Sequence, residues 1–159
     1  MDEARLAQLV REHGDALLGF LTYRTGDRHL AEDLLSDTFE RAFKARRRYD
    51  PRKASERTWL TAIALNAWRD HVRRRGAETR AVEALSPPLV SDDFTTTLVE
   101  RQTLMASLDA LPPDEREALA LVYGADLTAK QAAGVLGVKV TTVQGRVYRG
   151  LKRLRDELG

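Results

Sequence analysis

The sequence contains no cysteine, and its three histidines (His13, His29 and His71) are spread apart. The first absence removes disulfide frameworks and thiolate metal sites, and scattered histidines predict no ligand cluster. No apolar run approaches the length of a bilayer span, and the opening MDEARLAQLV is acidic without a signal-peptide core. A cytosolic location without membrane insertion is expected. A Gly-rich phosphate loop, an HExxH pair and a nucleophile elbow are also missing. Glu32, Asp33 and Asp37 crowd together, but periodicity puts them on an exposed helical face without histidine support, which suits solvent or a partner better than a metal. No metal, cofactor or enzymatic activity is expected. Strand-like alternation and internal repeats are absent too, so the expected fold class is all-α.

What is present is most concentrated from Thr128 to Arg155, TAKQAAGVLGVKVTTVQGRVYRGLKRLR. Thr128 with Gln131 three residues later forms a capping box, which starts a short helix. Ala132, Ala133, Val135 and Leu136 make its buried side, and the paired alanines permit a close helix crossing. Gly137 supplies the positive φ that ends a helix at low cost. A second helix follows from about Thr141, with Val143, Val147, Leu151, Leu154 and Leu158 in one stripe. Thr142, Gly145, Arg149 and Lys152 lie opposite, flanked by Gln144, Arg146, Tyr148 and Arg153. Six basic and no acidic residues fall between Gly137 and Arg155. The pattern is that of a helix-turn-helix whose recognition helix comes last. Gly145 costs about 1 kcal/mol against alanine inside a helix. It reads either as drift or as a close approach of the backbone to DNA.

The net charge of +2 conceals a segregation along the chain. Residues 1–40 carry nine acids and four bases, whereas residues 41–80 carry four acids and thirteen bases. Residues 81–136 return to nine acids against three bases, and residues 137–159 have two against six. Two polyanion-facing surfaces are thus expected, each beside a surface suited to a basic protein partner.

In chain order, residues 3–25 read as a helix with Leu6, Leu9, Val10, Leu17, Phe20 and Leu21 inside. A second helix over 28–47, capped by Asp27, buries Leu34, Leu35, Thr38, Phe39, Ala42 and Phe43 and shows acids early and bases late. Tyr49 to Lys53 is a proline-containing loop. Ser55 caps a third helix to about Arg75, with Trp59, Leu60, Ile63, Ala64, Ala67 and Val72 inside. Trp59 reads as core, whereas Trp68 divides evenly between core and nucleic acid. Periodicity lapses from Ala77 to Thr97 around Pro87-Pro88 and returns with Leu98, Leu104, Met105, Leu108 and Leu111. Pro112-Pro113 resets the chain, and Glu115 to Tyr123 reads as the next helix. The expected organisation is a helical domain over 1–76, a flexible linker over 77–97 and a helix-turn-helix domain over 98–159, with few contacts between the two domains.

Three stretches carry a family resemblance: AEDLLSDTFERAFKA, then YDPRKASERTWLTAIALNAWRDHVRRR, then LPPDEREALALVYGADLTAKQAAGVLGVKVTTVQGRVYRGLKRLR. Together, and in order, they resemble the extracytoplasmic-function (ECF) sigma factors, minimal specificity subunits of bacterial RNA polymerase. The resemblance implies a function: binding the polymerase core, recognising −35 and −10 promoter elements and melting DNA. It implies docking of the second helix on the β′ clamp coiled coil through Asp33, Ser36, Asp37, Phe39 and Glu40, and contact of the C-terminal domain with the β flap. It implies −10 contacts from Tyr49, Arg52, Lys53, Arg57, Asn66, Arg69, Asp70 and Arg73. For the −35 element it implies Thr142, Gln144, Gly145, Arg146, Tyr148, Arg149 and Lys152. In the linker, Asp92 and Asp93 would mimic nucleic-acid charge, and an anti-sigma factor is a further implied partner. Ser36 stands where the family commonly has glutamine. Gln144-Gly145 replaces the usual basic residue and serine, so a typical −35 consensus does not carry over. A stand-alone helix-turn-helix regulator is the alternative, but it leaves the acidic helix and the first basic block without a role.

Overall fold

The computed structural model describes residues 2–78 and 106–158. Six helices organise most of them: α1 Glu3–Thr25, α2 Arg28–Lys44, α3 Glu56–Glu78, α4 Pro113–Leu119, α5 Ala129–Leu136 and α6 Val140–Leu158; residues 106–109 are helical too. No strand occurs among the described residues. The linker expectations, Asp92 and Asp93 included, lie outside them.

The helix ends follow from local chemistry. Asp2 caps α1 by accepting from the Arg5 N–H at 2.9 Å, and Asp27 caps α2 through the Leu30 N–H at 3.2 Å. Gly26 closes α1 in the left-handed region with φ 71°. α2 stops sooner than expected, at Lys44, and Arg46–Arg48 form a 3₁₀ turn instead. Ser55 Oγ accepts from the Thr58 N–H at 3.2 Å, as its capping role requires. α3 runs through Gly76 to Glu78, slightly past the expected end. Leu9, Leu17, Phe20 and Leu21 of α1 pack with Leu34, Phe39, Leu60, Ala64 and Ala67. Val10 and Val72, expected inside, are exposed.

In the C-terminal half the expected helix over Glu115–Tyr123 divides. α4 is followed directly by a π turn, Ala120–Gly124, in which the Ala125 N–H donates to the Ala120 carbonyl at 3.0 Å. Such insertions into a helix are often found where function requires an altered phase. Asp126 then takes φ 57°, the one positive φ outside glycine among the described residues.

The largest departure from expectation is between the two halves. The core cluster that holds Leu17, Phe20 and Leu21 also holds Ala120, Leu121, Ala125, Ala132 and Val143. Two glycines make this possible. A Cβ on Gly124 would lie 2.9 Å from the Phe20 Cα, and one on Gly19 would lie 3.0 Å from the Gly124 carbonyl oxygen. Backbone rests on backbone there, so the π turn seats directly on α1. The halves share one core rather than standing apart.

Candidate nucleic-acid and polymerase interfaces

The helix-turn-helix is built as its sequence dictates. Thr128 Oγ1 accepts from the Gln131 N–H at 3.1 Å, and Gln131 Oε1 accepts from the Thr128 N–H at 2.9 Å, completing the capping box. Gly137 adopts φ 69° at the end of α5. Val143 is fully buried, and Val147, Leu151 and Leu154 are partly buried along the same stripe. Gln144, Tyr148 and Lys152 point to solvent, with Tyr148 64% exposed. Thr142, Gly145 and Arg146 are half-buried.

The arginines of this helix are less free than periodicity suggests. Glu115 of α4 is buried, and its carboxylate accepts from Arg153 Nε at 2.9 Å and faces Arg149 Nε at 3.9 Å. Arg146 pairs with Asp114 at 3.6 Å. Arg149 is still 55% exposed, and its guanidinium folds back so that a Cβ on Gly145 would lie 3.2 Å from Nη1. No backbone or core atom crowds Gly145, so packing does not require glycine there. Gly150, which sequence reasoning passed over, is the packing glycine: its Cβ would meet Leu119 Cδ1 at 2.9 Å.

On α2, Asp33, Ser36 and Glu40 are exposed on one face. Glu40 accepts from Lys44 Nζ at 3.0 Å. Asp37 is half-buried and accepts from Arg41 Nε at 3.2 Å, and Arg41 Nη1 donates to Asp70 at 2.7 Å. Asp70 also pairs with Arg73. Phe39 is 7% exposed and belongs to the core, as the helical periodicity predicts, and supports the acidic face from beneath. Asp70 is an anion that ties α3 to α2, and its neighbours already occupy it.

The first basic block spreads over a loop and one helix. Arg52 and Lys53 are exposed in the loop, with Arg52 Nε donating to Asp50 at 3.2 Å. That bond lowers the Asp50 carboxyl below its ordinary range. Tyr49 is not open for stacking: its hydroxyl donates to the Ala54 carbonyl at 3.0 Å and its ring sits 4.8 Å from Trp59. It pins the loop. Asn66, Arg69 and Arg73 are exposed on α3, whereas Arg57 is half-buried, with no partner for Nε among the described residues. Trp68 is partly buried beneath the Arg24 guanidinium, 5.3 Å from its ring centroid, and stacks on His71.

One potential metal-ligand group arises that the scattered histidines did not suggest. Glu12, His13 and Glu56 bring one ligand atom each within 4.8 Å of one another. Arg5 already pairs with Glu56, and Arg57 is close enough to help lower the His13 pKa. These cations disfavour another positive ion.

Comparisons with known proteins agree with this geometry. Residues 9–78 match the family described as Sigma-70 region 2, and residues 101–154 match Sigma-70, region 4. The ECF RNA polymerase sigma factor SigE of Mycolicibacterium smegmatis is 34% identical, over 95% of this chain and 60% of its own length. The ECF RNA polymerase sigma factor SigM of Bacillus subtilis is 32% identical, over 86% of this chain and 84% of its own. Among solved structures, the sigma factor RpoE of Bartonella quintana, in complex with the anti-sigma factor NepR, aligns with a TM-score of 0.82 at 25% identity. That alignment covers 96% of this chain and 95% of RpoE. CnrH, in complex with the cytosolic domain of CnrY, aligns at 0.74 and 26% identity, covering 99% and 89%. With a region 2 unit, a region 4 unit and relatives over most of its length, the chain belongs to the ECF sigma factors of the sigma-70 family.

Proposed function

We propose that this chain acts in the cell interior as a promoter-specificity subunit of bacterial RNA polymerase, binding and positioning rather than catalysing. The exposed acids Asp33 and Glu40 of α2, with exposed Ser36 between them, make the surface offered to the β′ clamp coiled coil, and the C-terminal unit meets the β flap. Arg52, Lys53, Asn66, Arg69 and Arg73 make the surface for the −10 strand. Exposed arginines and lysines there supply phosphate contacts, and Asn66 can reach a base edge. Gln144, Tyr148, Arg149 and Lys152 enter the −35 major groove. An anti-sigma factor is a further partner, by analogy with RpoE, whose structure contains NepR.

The observation that carries this reading is the alternation of surfaces. An exposed acidic α2 face adjoins a basic α3 and loop, and a capped helix-turn-helix with a basic last helix follows. A DNA-binding regulator acting alone has no use for the first of these. Run-off transcription from bacterial promoters with purified core polymerase tests it: transcription that depends on added protein is expected, and none would overturn the reading.

A further inference from the structure

The seam between the two units is made from the chain's own residues, and it engages one of the arginines assigned to the −10 strand. Glu117 of α4 has a carboxylate only 13% exposed. Its Oε1 accepts from Arg24 Nε at 3.5 Å, and its Oε2 accepts from Arg69 Nη2 at 3.1 Å. Arg116, beside it and buried, donates from Nε and Nη2 to the Tyr23 carbonyl at 3.2 and 3.1 Å. That carbonyl is in the last turn of α1, where the helix dipole favours a cation. Gly19 and Gly124 bring the backbones together beneath these bonds.

Packing alone does not require an acid at Glu117. Burying one beside two arginines gains little over apolar contact, whereas a carboxylate presents a guanidinium with the same pair of acceptor oxygens as a phosphate. Arg69 remains 48% exposed, so a second anion can reach it. We propose that Glu117 is an internal competitor of nucleic acid: in the closed chain it occupies Arg69 and Arg24, and a backbone phosphate of single-stranded DNA replaces it as the units part. The proposal rests on the −10 role given to Arg69 above and adds its regulation.

The test uses the full chain, which has no native cysteine. Gln8→Cys and Lys130→Cys, both at exposed positions, carry a donor–acceptor dye pair across the seam. The probe is a fluorescent single-stranded DNA 20-mer of mixed sequence, since phosphate contacts do not depend on sequence. Glu117→Gln is expected to lower energy transfer and to tighten DNA binding at least threefold, with a salt slope steeper by about 0.7 for one added phosphate. Adding Arg69→Ala should abolish the gain. Gly124→Leu, which forces the backbones apart, should reproduce both effects with helical circular dichroism retained. Unchanged transfer and binding in Glu117→Gln would overturn the proposal. So would opening without tighter binding, or a gain that survives Arg69→Ala. Run-off transcription by the wild type reports separately on the polymerase role, so its failure is distinguishable from failure of the competitor.

Discussion

Leu119 fills the space that a side chain on Gly150 would need, with its Cδ1 2.9 Å from the site of a Cβ. This contact sets how closely α4 lies on the recognition helix. It also brings Glu115 within reach of Arg149 and Arg153. Gly150→Ala gains about 1 kcal/mol of helix preference and loses about 1–3 kcal/mol to overpacking. A net loss of about 1 kcal/mol is expected in urea unfolding. Gly145→Ala should do the opposite and stabilise by up to about 1 kcal/mol, because only the mobile end of Arg149 is near it.

The α2 face separates docking from folding. Asp33→Arg should weaken core polymerase binding and leave unfolding unchanged, since Asp33 is exposed. Asp37→Arg should weaken binding and also lower stability, because it breaks the pairing that Arg41 shares with Asp70. Phe39→Ala should cost about 3–5 kcal/mol by leaving a core cavity. A binding assay beside denaturant melts of the three variants checks this order, and equal stability across them would contradict it.

Base readout is expected at Gln144 and Arg149. Gln144→Arg should change which −35 sequences are used more than it changes total affinity. Arg149→Ala should cost about 1–3 kcal/mol of binding and relax preference at one position, with a stability change within about 0.5 kcal/mol. Transcription from a randomised −35 library is the measurement. Identical profiles for wild type and both variants would remove the −35 assignment.

Acid should loosen the fold through two histidines. Burial, and then the nearby Arg57, lowers the His13 pKa against the opposing pull of Glu56 and Glu12. Burial, then Arg75 and Arg74, lowers that of His71. The unfolded chain takes up these protons near pH 6.5, whereas the folded chain resists until lower pH. Their contribution is therefore complete above about pH 6.5 and lost as the pH falls through the folded pKa values. Urea midpoints should drop between pH 7.5 and 5.5, and His13→Gln/His71→Gln should flatten the drop.

Features set by neighbours in the sequence were legible there. Thr128, Gln131 and Gly137 specify the start and end of α5 through bonds that span three or four residues. The stripe of Val143, Val147, Leu151 and Leu154 needs only the helical repeat. What could not be read depends on distant partners. Glu117 looks like any acid within a short helix until α1 and α3 deliver Arg24 and Arg69. Asp70 sits at a position the family resemblance assigned to DNA, and its pairing with Arg41 of α2 depends on how α3 packs there. The seam left one faint signal, glycines inside two apolar segments at Gly19 and Gly124. The π turn left none, because a bond to the fifth residue back has no composition of its own.

That π turn also acts as a phase shifter. Each residue of a regular α-helix advances the face by about 100°, and Ala120–Gly124 takes in one residue more than an α-turn would. Removing a single residue there would rotate everything before it relative to everything after it by about that angle. Gly124 could then no longer meet Gly19 while α4 kept Glu117 toward Arg69. The orientation of α6 relative to the exposed basic side of α3 therefore depends on one surplus residue, and changing the length of this segment would alter that orientation even if every side chain stayed the same.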